Sequence, residues 1–193
     1  LSKQNINTLW FSFELTPKQF LNKFQPMPLF YIPKKNKDTD MNWIEEKIVE
    51  GIKKFGVKAV FIDHLHYVIK MLPGDASPSL VIGEVCRTLK QMAIKHNITI
   101  FLIAHTKQPL GDKPPDMGSL RDSSFIVQES DAVYAINRNR IKGQALDMYG
   151  PESSFIILKQ RETGQMGKII KLTYINNIFY DDKAIQEGRQ INI

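Results

Sequence analysis

Apolar positions recur along the chain at two spacings, near two and near three and a half residues, and the switches between them mark out strands and helices. Leu9 to Phe13 is a short apolar run ending on Glu14, and Thr16-Pro17 follows with the form of an N-cap and a proline at the first helical position. This predicts a strand and then a helix. Residues 25–40 carry Pro26, Pro28, Pro33 and the Lys34, Lys35 and Lys37 cluster, which predicts irregular chain with one short strand at Leu29 to Ile32 and a solvated basic face. From Met41 to Phe55 the spacing of Ile44, Ile48, Val49 and Ile52 is helical, and Gly56 supplies a C-terminal stop. Ala59 to Ile62 is then a short strand closed by Asp63.

Farther on, Val81, Val85, Leu89, Met92 and Ala93 lie on one face of a helix predicted over Leu80 to His96. Ile98 to Ala104 is apolar and β-branched, as expected of a strand buried on both faces of a parallel sheet. The stretch from Thr106 to Ser124 is rich in proline, glycine and charge and reads as a long loop, a length at which loops usually serve function or are disordered. Strands are predicted at Ala132 to Ile136, Ser154 to Leu158, Lys168 to Tyr174 and Ile178 to Asp181, with hairpin turns at Gly164 to Gly167 and Asn176-Asn177. Strand and helix alternate first and hairpins follow. That order predicts an α/β fold, a mainly parallel sheet flanked by helices with a C-terminal antiparallel extension. No internal repeat is present.

Composition narrows the class. A chain of 193 residues with 42% hydrophobic content can bury one real core, so a single domain over residues 1–193 is expected. No apolar run reaches membrane-spanning length and residues 1–5 lack a signal-peptide layout, which leads to the expectation of an intracellular protein. Cys86 is the only cysteine, so no internal disulfide can form, and the four histidines lack the Cys/His company of a structural zinc site; redox and zinc chemistry are therefore not expected. The net charge of +6 suits a polyanionic partner and equally suits ordinary solubility.

Three predicted strands end in residues able to do chemistry: Phe13 then Glu14, Ile62 then Asp63, Ala104 then His105. In open α/β sheets the carboxyl ends of the strands line the ligand crevice, so these side chains can converge. An apolar strand closed by aspartate, here Ala-Val-Phe-Ile-Asp, fits the Walker B arrangement in which the carboxylate holds the water shell of Mg²⁺. Aspartate at a strand end also caps helices, and glutamate at a helix start is favoured by the macrodipole, so each residue has a structural reading as well.

Four segments in order carry a resemblance. Phe11-Ser12-Phe13-Glu14-Leu15-Thr16 resembles the FFSLEMS segment of DnaB-type replicative helicases, and Ile62-Asp63-His64-Leu65-His66 their IDYLQ segment. Ser119 to Asp131 resembles DLRESGSIEQDAD at Leu120, Arg121, Ser123, Ile126, Gln128 and Asp131, and Lys159-Gln160-Arg161 with Thr163-Gly164 and Gly167 resembles KQRNGPTG. Ile103-Ala104-His105-Thr106-Lys107 departs from the bacterial pattern, which has Ser-Gln there, and is closer to phage primase–helicases and the mitochondrial helicase Twinkle.

The resemblance implies a RecA-like P-loop NTPase fold and an ATP-driven, ring-forming motor on single-stranded DNA, using ATP and Mg²⁺. It implies that Glu14 orients the attacking water, Asp63 is the Mg²⁺ partner through water, and His105 senses the γ-phosphate. Arg161 and Lys159 take the places of an arginine finger and its companion lysine acting on a neighbouring subunit's ATP, and Arg138 that of a residue stacking on adenine. Lys107, Lys113, Arg121 and Ser123 fall in the DNA-binding loop. Expected partners are single-stranded DNA, further copies in a hexameric ring, and primase; the expected place is the cytoplasm, in a bacterial or phage replisome, with mitochondria also compatible.

No Gly-x-x-x-x-Gly-Lys-Ser/Thr occurs in the 193 residues. Its backbone amides and lysine would hold the β- and γ-phosphates. The expectation is therefore a truncated motor domain lacking the Walker A strand and helix, with little activity of its own. A RecA- or KaiC-like ATPase and a non-enzymatic nucleic-acid-binding module are the rival readings; the LRDSS and KQRETG segments favour the helicase, and the missing loop favours the module.

Overall fold

The computed structural model describes residues 1, 4–24, 28–33, 40–69, 78–106, 114–119, 124–141, 148–176 and 178–181. Contacts within the chain separate into two compact units, Leu1–His105 and Thr106–Ile193.

The first unit is built on three parallel strands in the order β1 (Thr8–Ser12), β2 (Ala59–Asp63), β3 (Thr99–Ile103). Register is strict: Thr8 pairs with Ala59 and Ala59 with Thr99, up to Ser12 with Asp63 and Asp63 with Ile103. At the middle of this register Trp10, Phe61 and Phe101 stack across all three strands, with ring centroids 4.1 and 4.6 Å apart and planes 7° from parallel in both pairs. The predicted strand at Leu29 to Ile32 shrinks to a single bridge, in which Tyr31 exchanges hydrogen bonds with Thr8 and Trp10 on the outer side of β1.

Local chemistry sets the helices. In α1 (Pro17–Leu21) Thr16 and Gln19 form a capping box that satisfies amides the first turn leaves open. In α2 (Met41–Phe55) Asp40 accepts from the Trp43 amide, and Gly56 ends the helix at φ 61°, where a side chain would be strained. The apolar stripe of α2 buries Ile44 and Ile48, and Gly51 lets the helix close on Val57, whose Cγ2 would stand 3.2 Å from an added Cβ. A short α3 (Leu65–Ile69), not foreseen from the pattern, buries Leu65 and Val68. In α4 (Pro78–His96) Val85, Leu89 and Met92 face the core as the spacing predicted, joined by Ile82 and Cys86, while Val81 and Ala93 are only half-buried. With Phe11, Val60 and Ile62 they close an apolar interior around the sheet.

One expectation is corrected here. The strand at Ile98 to Ala104 is not buried on both faces: β3 alternates, with Phe101 37% and Ile103 38% exposed. Among the described residues it is an edge of its sheet, so one row of its apolar side chains lacks a covering layer.

The second unit is an antiparallel sheet in the order β4 (Ala132–Arg140), β5 (Tyr149–Gln160), β6 (Lys168–Ile175), β7 (Ile178–Asp181), preceded by a 3₁₀ turn at Met117–Ser119 and by α5 (Ser124–Glu129). Strands β4 and β5 run well past their predicted ends, and β4 carries register shifts at Val133/Tyr134 and Arg138/Arg140. Gly164 and Gly167 take the positive φ values, 68° and 72°, that the β5–β6 turn needs, and Asn176 takes 50° before β7. Val133, Ala135, Ile156, Ile157, Leu158 and Leu172 form this unit's core.

Candidate functional site

Parallel pairing in strict register brings three strand ends together. Glu14 lies two residues beyond β1, Asp63 ends β2 with His64 directly after it, and His105 lies two residues beyond β3. The Phe13 amide donates to the Asp63 carbonyl at 2.9 Å, which fixes the β1 exit against the β2 end. The Asp63–His64 peptide is cis.

Glu14 Oε2 then lies 3.8 Å from His64 Nε2 and 3.9 Å from His105 Nε2. The His64 and His105 rings meet edge to face with centroids 4.2 Å apart, and His66 and Tyr67 lie 5.4 and 5.0 Å from His64. His64 is buried, whereas Glu14 and His105 are exposed. The His66 amide donates to His64 Nδ1 at 3.3 Å. A neutral His64 ring therefore carries its proton on Nε2, the atom that faces Glu14.

Burial pushes the Asp63 carboxyl above its ordinary range, and the negative charge of Glu14 pushes it further. Burial also lowers His64, with His105 adding to the effect, so the imidazole is held neutral. Two carboxylates meet at the end of a parallel sheet, and the repulsion between them is what a hard cation would relieve. Asp63 thus has the donor chemistry and setting that Mg²⁺ requires.

The sequence grouped Glu14, Asp63 and His105, and the structure brings them into one cluster. His64, by contrast, was missed as a site residue. Its signal was the departure of His64-Leu65-His66 from the IDYLQ pattern, a histidine standing where that pattern has tyrosine.

In the second unit Lys159 and Arg161 converge on the C-terminal end of α5. Lys159 Nζ donates to the carbonyls of Val127 and of Ser130, the latter at 2.8 Å. Arg161 donates to the Gln128 carbonyl at 3.1 Å and pairs with Asp131 at 3.4 Å while remaining exposed. Both cations complement the negative end of the helix. Arg138 lies over the Tyr174 ring at 4.2 Å and donates to the carbonyls of Tyr149 and Gly150. Lys107, Lys113, Arg121 and Ser123, like the lysines at 34, 35 and 37 and Asn177, lie outside the described residues.

Against known proteins, residues 4–180 match the family described as the DnaB-like helicase C terminal domain. The chain belongs to that family. A family relative, the probable plasmid replicative DNA helicase of Chlamydia psittaci, is 28% identical over 106 residues, which are 53% of this chain and 23% of the relative. A solved DnaB-like replicative helicase, described with its interactions with primase, superposes with a TM-score of 0.74 at 18% identity over 92% of this chain and 51% of its own. A solved ATPase domain gives 0.75 at 18% identity over 93% and 76%. At that identity the likeness establishes the fold, the RecA-like one of DnaB-type ATPase domains. The chain spans under a quarter of the length of the curated relative it matches.

Proposed function

We propose that this chain is the motor part of an ATP-driven, ring-forming replicative DNA helicase that translocates on single-stranded DNA. The observation that carries the reading is the convergence of Glu14, Asp63 and His105 at the carboxyl ends of three adjacent parallel strands, in a chain of the DnaB-like family. Phosphoryl transfer to water needs a positioned nucleophile, neutralised phosphate oxygens and a group that reports hydrolysis. Glu14, exposed and acceptor-only when ionised, orients the water. Asp63 holds Mg²⁺ through its water shell; when bound, the ion supplies charge neutralisation at the phosphates. His105, within reach of Glu14, reports the γ-phosphate to the chain that follows it, where Lys107, Lys113, Arg121 and Ser123 contact the DNA backbone.

Arg161 is the finger that reaches a neighbouring subunit's ATP, with Lys159 beside it, and Arg138 contacts the adenine. The Arg138 guanidinium already lies over one aromatic ring, with Cζ 4.2 Å from the Tyr174 centroid. A ring of copies and a primase are the partners proposed for the whole protein, and a replisome in the cytoplasm is its proposed place. The 193 residues contain no phosphate-binding loop, so on this reading the chain supplies water activation and signalling rather than the phosphate cradle.

The test uses the whole protein with a phosphate-binding loop and measures DNA-stimulated ATP hydrolysis. Glu14→Gln should leave ATP binding intact and lower turnover by about 10²-fold or more, the usual contribution of a general base. Undiminished turnover in that variant would remove the reading.

A further inference from the structure

We propose that Glu14, His64 and His105 form a binding site for a borderline divalent transition metal, Zn²⁺ in the first instance, distinct from the Mg²⁺ position at Asp63. One ligand atom from each of the three lies within 4.8 Å of the others, with Glu14 Oε2 3.8 and 3.9 Å from the two Nε2 atoms. Tetrahedral zinc with bonds near 2.0–2.2 Å separates its ligand atoms by roughly 3.4 Å, so a closure of about half an ångström along each Glu14 edge is needed, and of up to about 1.4 Å between the two histidines. Glu14 and His105 are exposed and free to make that movement, while His64 is fixed in the wall of the unit.

The donor set selects the metal. Two imidazoles and one carboxylate suit zinc and its neighbours, whereas Mg²⁺ takes oxygen ligands and gives up water reluctantly. Three protein ligands leave a fourth position for water. Such a site reverses the expectation that zinc chemistry is absent: the sequence placed Glu14 and His105 at converging strand ends, but no local spacing marks a metal site whose members come from three different strand ends. Without metal, the His66 amide holds the His64 proton on Nε2. On uptake that proton moves to Nδ1 and the 3.3 Å contact opens, which weakens the affinity. If Glu14 has the role proposed above, zinc would occupy the lone pair needed to orient water; that consequence rests on the functional reading, and metal binding itself does not.

The experiment is equilibrium zinc binding to the 193-residue chain without nucleotide, by competition with a chromophoric chelator, together with visible spectroscopy of the Co²⁺ form. One ion per chain is expected, with a tetrahedral Co²⁺ spectrum. His105→Asn, an exposed substitution that spares the fold, should weaken zinc by about tenfold or more and abolish that spectrum. His64→Asn should do the same, and His96→Asn should leave both unchanged. Binding that survives His105→Asn, binding lost in His96→Asn, an octahedral Co²⁺ spectrum, or no zinc uptake at micromolar concentration would each overturn the proposal. Because no turnover is read, failure here leaves the ATPase reading standing.

Discussion

Lys159 Nζ lies 2.8 Å from the carbonyl oxygen of Ser130, just past the C-terminal end of α5, where helix carbonyls have no partner within the helix. Arg161, two residues on, reaches the same helix end but stays exposed. The two cations should therefore separate in their effects. Lys159→Met should destabilise the chain by about 1–3 kcal/mol, because part-buried carbonyls lose a charged donor. Arg161→Ala should cost less than about 1 kcal/mol. In rings of the whole protein, Arg161→Ala should keep ATP binding while hydrolysis falls by about 10³-fold, and mixing with subunits lacking the phosphate-loop lysine should restore part of it. Urea titrations check the first pair of values; loss of ATP binding in Arg161→Ala would make it a structural residue.

Asp63 is held against its preference, since burial and the charge of Glu14 both oppose its ionised form. Asp63→Asn should raise the midpoint of thermal unfolding near neutral pH by about 2–4 °C, the gain commonly found when a strained site is relieved. A lower midpoint would mean that the carboxylate supports the fold.

Glu45 ties α2 to α4, with Oε1 2.8 Å from Lys95 Nζ and 2.7 Å from His96 Nε2. Hydrogen bonds from Lys95 and then His96 hold its carboxyl below the ordinary 4.5. The folded state therefore binds this proton less tightly than the unfolded chain, so the contribution is present above that value and is lost as pH falls below it. Glu45→Gln should lower the unfolding midpoint by about 1–4 °C at neutral pH, and the gap should close in acid. A gap that stays constant with pH would exclude the ion pairs as its cause.

Phe61 is the middle ring of the stack with Trp10 and Phe101. Phe61→Ala removes both ring contacts and should cost about 2–4 kcal/mol, while Phe101→Ala, at the exposed edge, should cost about 1. The Trp10 emission should shift to the red in Phe61→Ala and hardly at all in Phe101→Ala. Equal costs for the two would show that the stack does not act through its centre.

With no phosphate-binding loop in its 193 residues, the chain alone should hydrolyse ATP at no measurable rate. Steady turnover by the purified chain, abolished by Asp63→Ala, would contradict this.

Most of the elements were legible because their causes are local. Proline at the start of α1, Gly56 after α2, the helical spacing of Val85, Leu89 and Met92 in α4 and the glycines of the β5–β6 turn each act within a few residues, and each stands where the pattern put it. The strand ends carrying Glu14, Asp63 and His105 were equally plain, and the matched segments named the family. Exposure on β3 was not legible, because an apolar run looks the same whether one face or two are covered, and coverage depends on which strands and helices lie beside it.

The sequence by itself determined the order of the elements and which residue types close each strand. Only the tertiary structure decided that His64 joins Glu14 and His105, since parallel pairing sets three strand ends in register and brings within 4.8 Å atoms that the chain keeps far apart. It also decided that Lys159 spends its donors on the end of α5, a contact made across 29 residues of chain that no local spacing encodes.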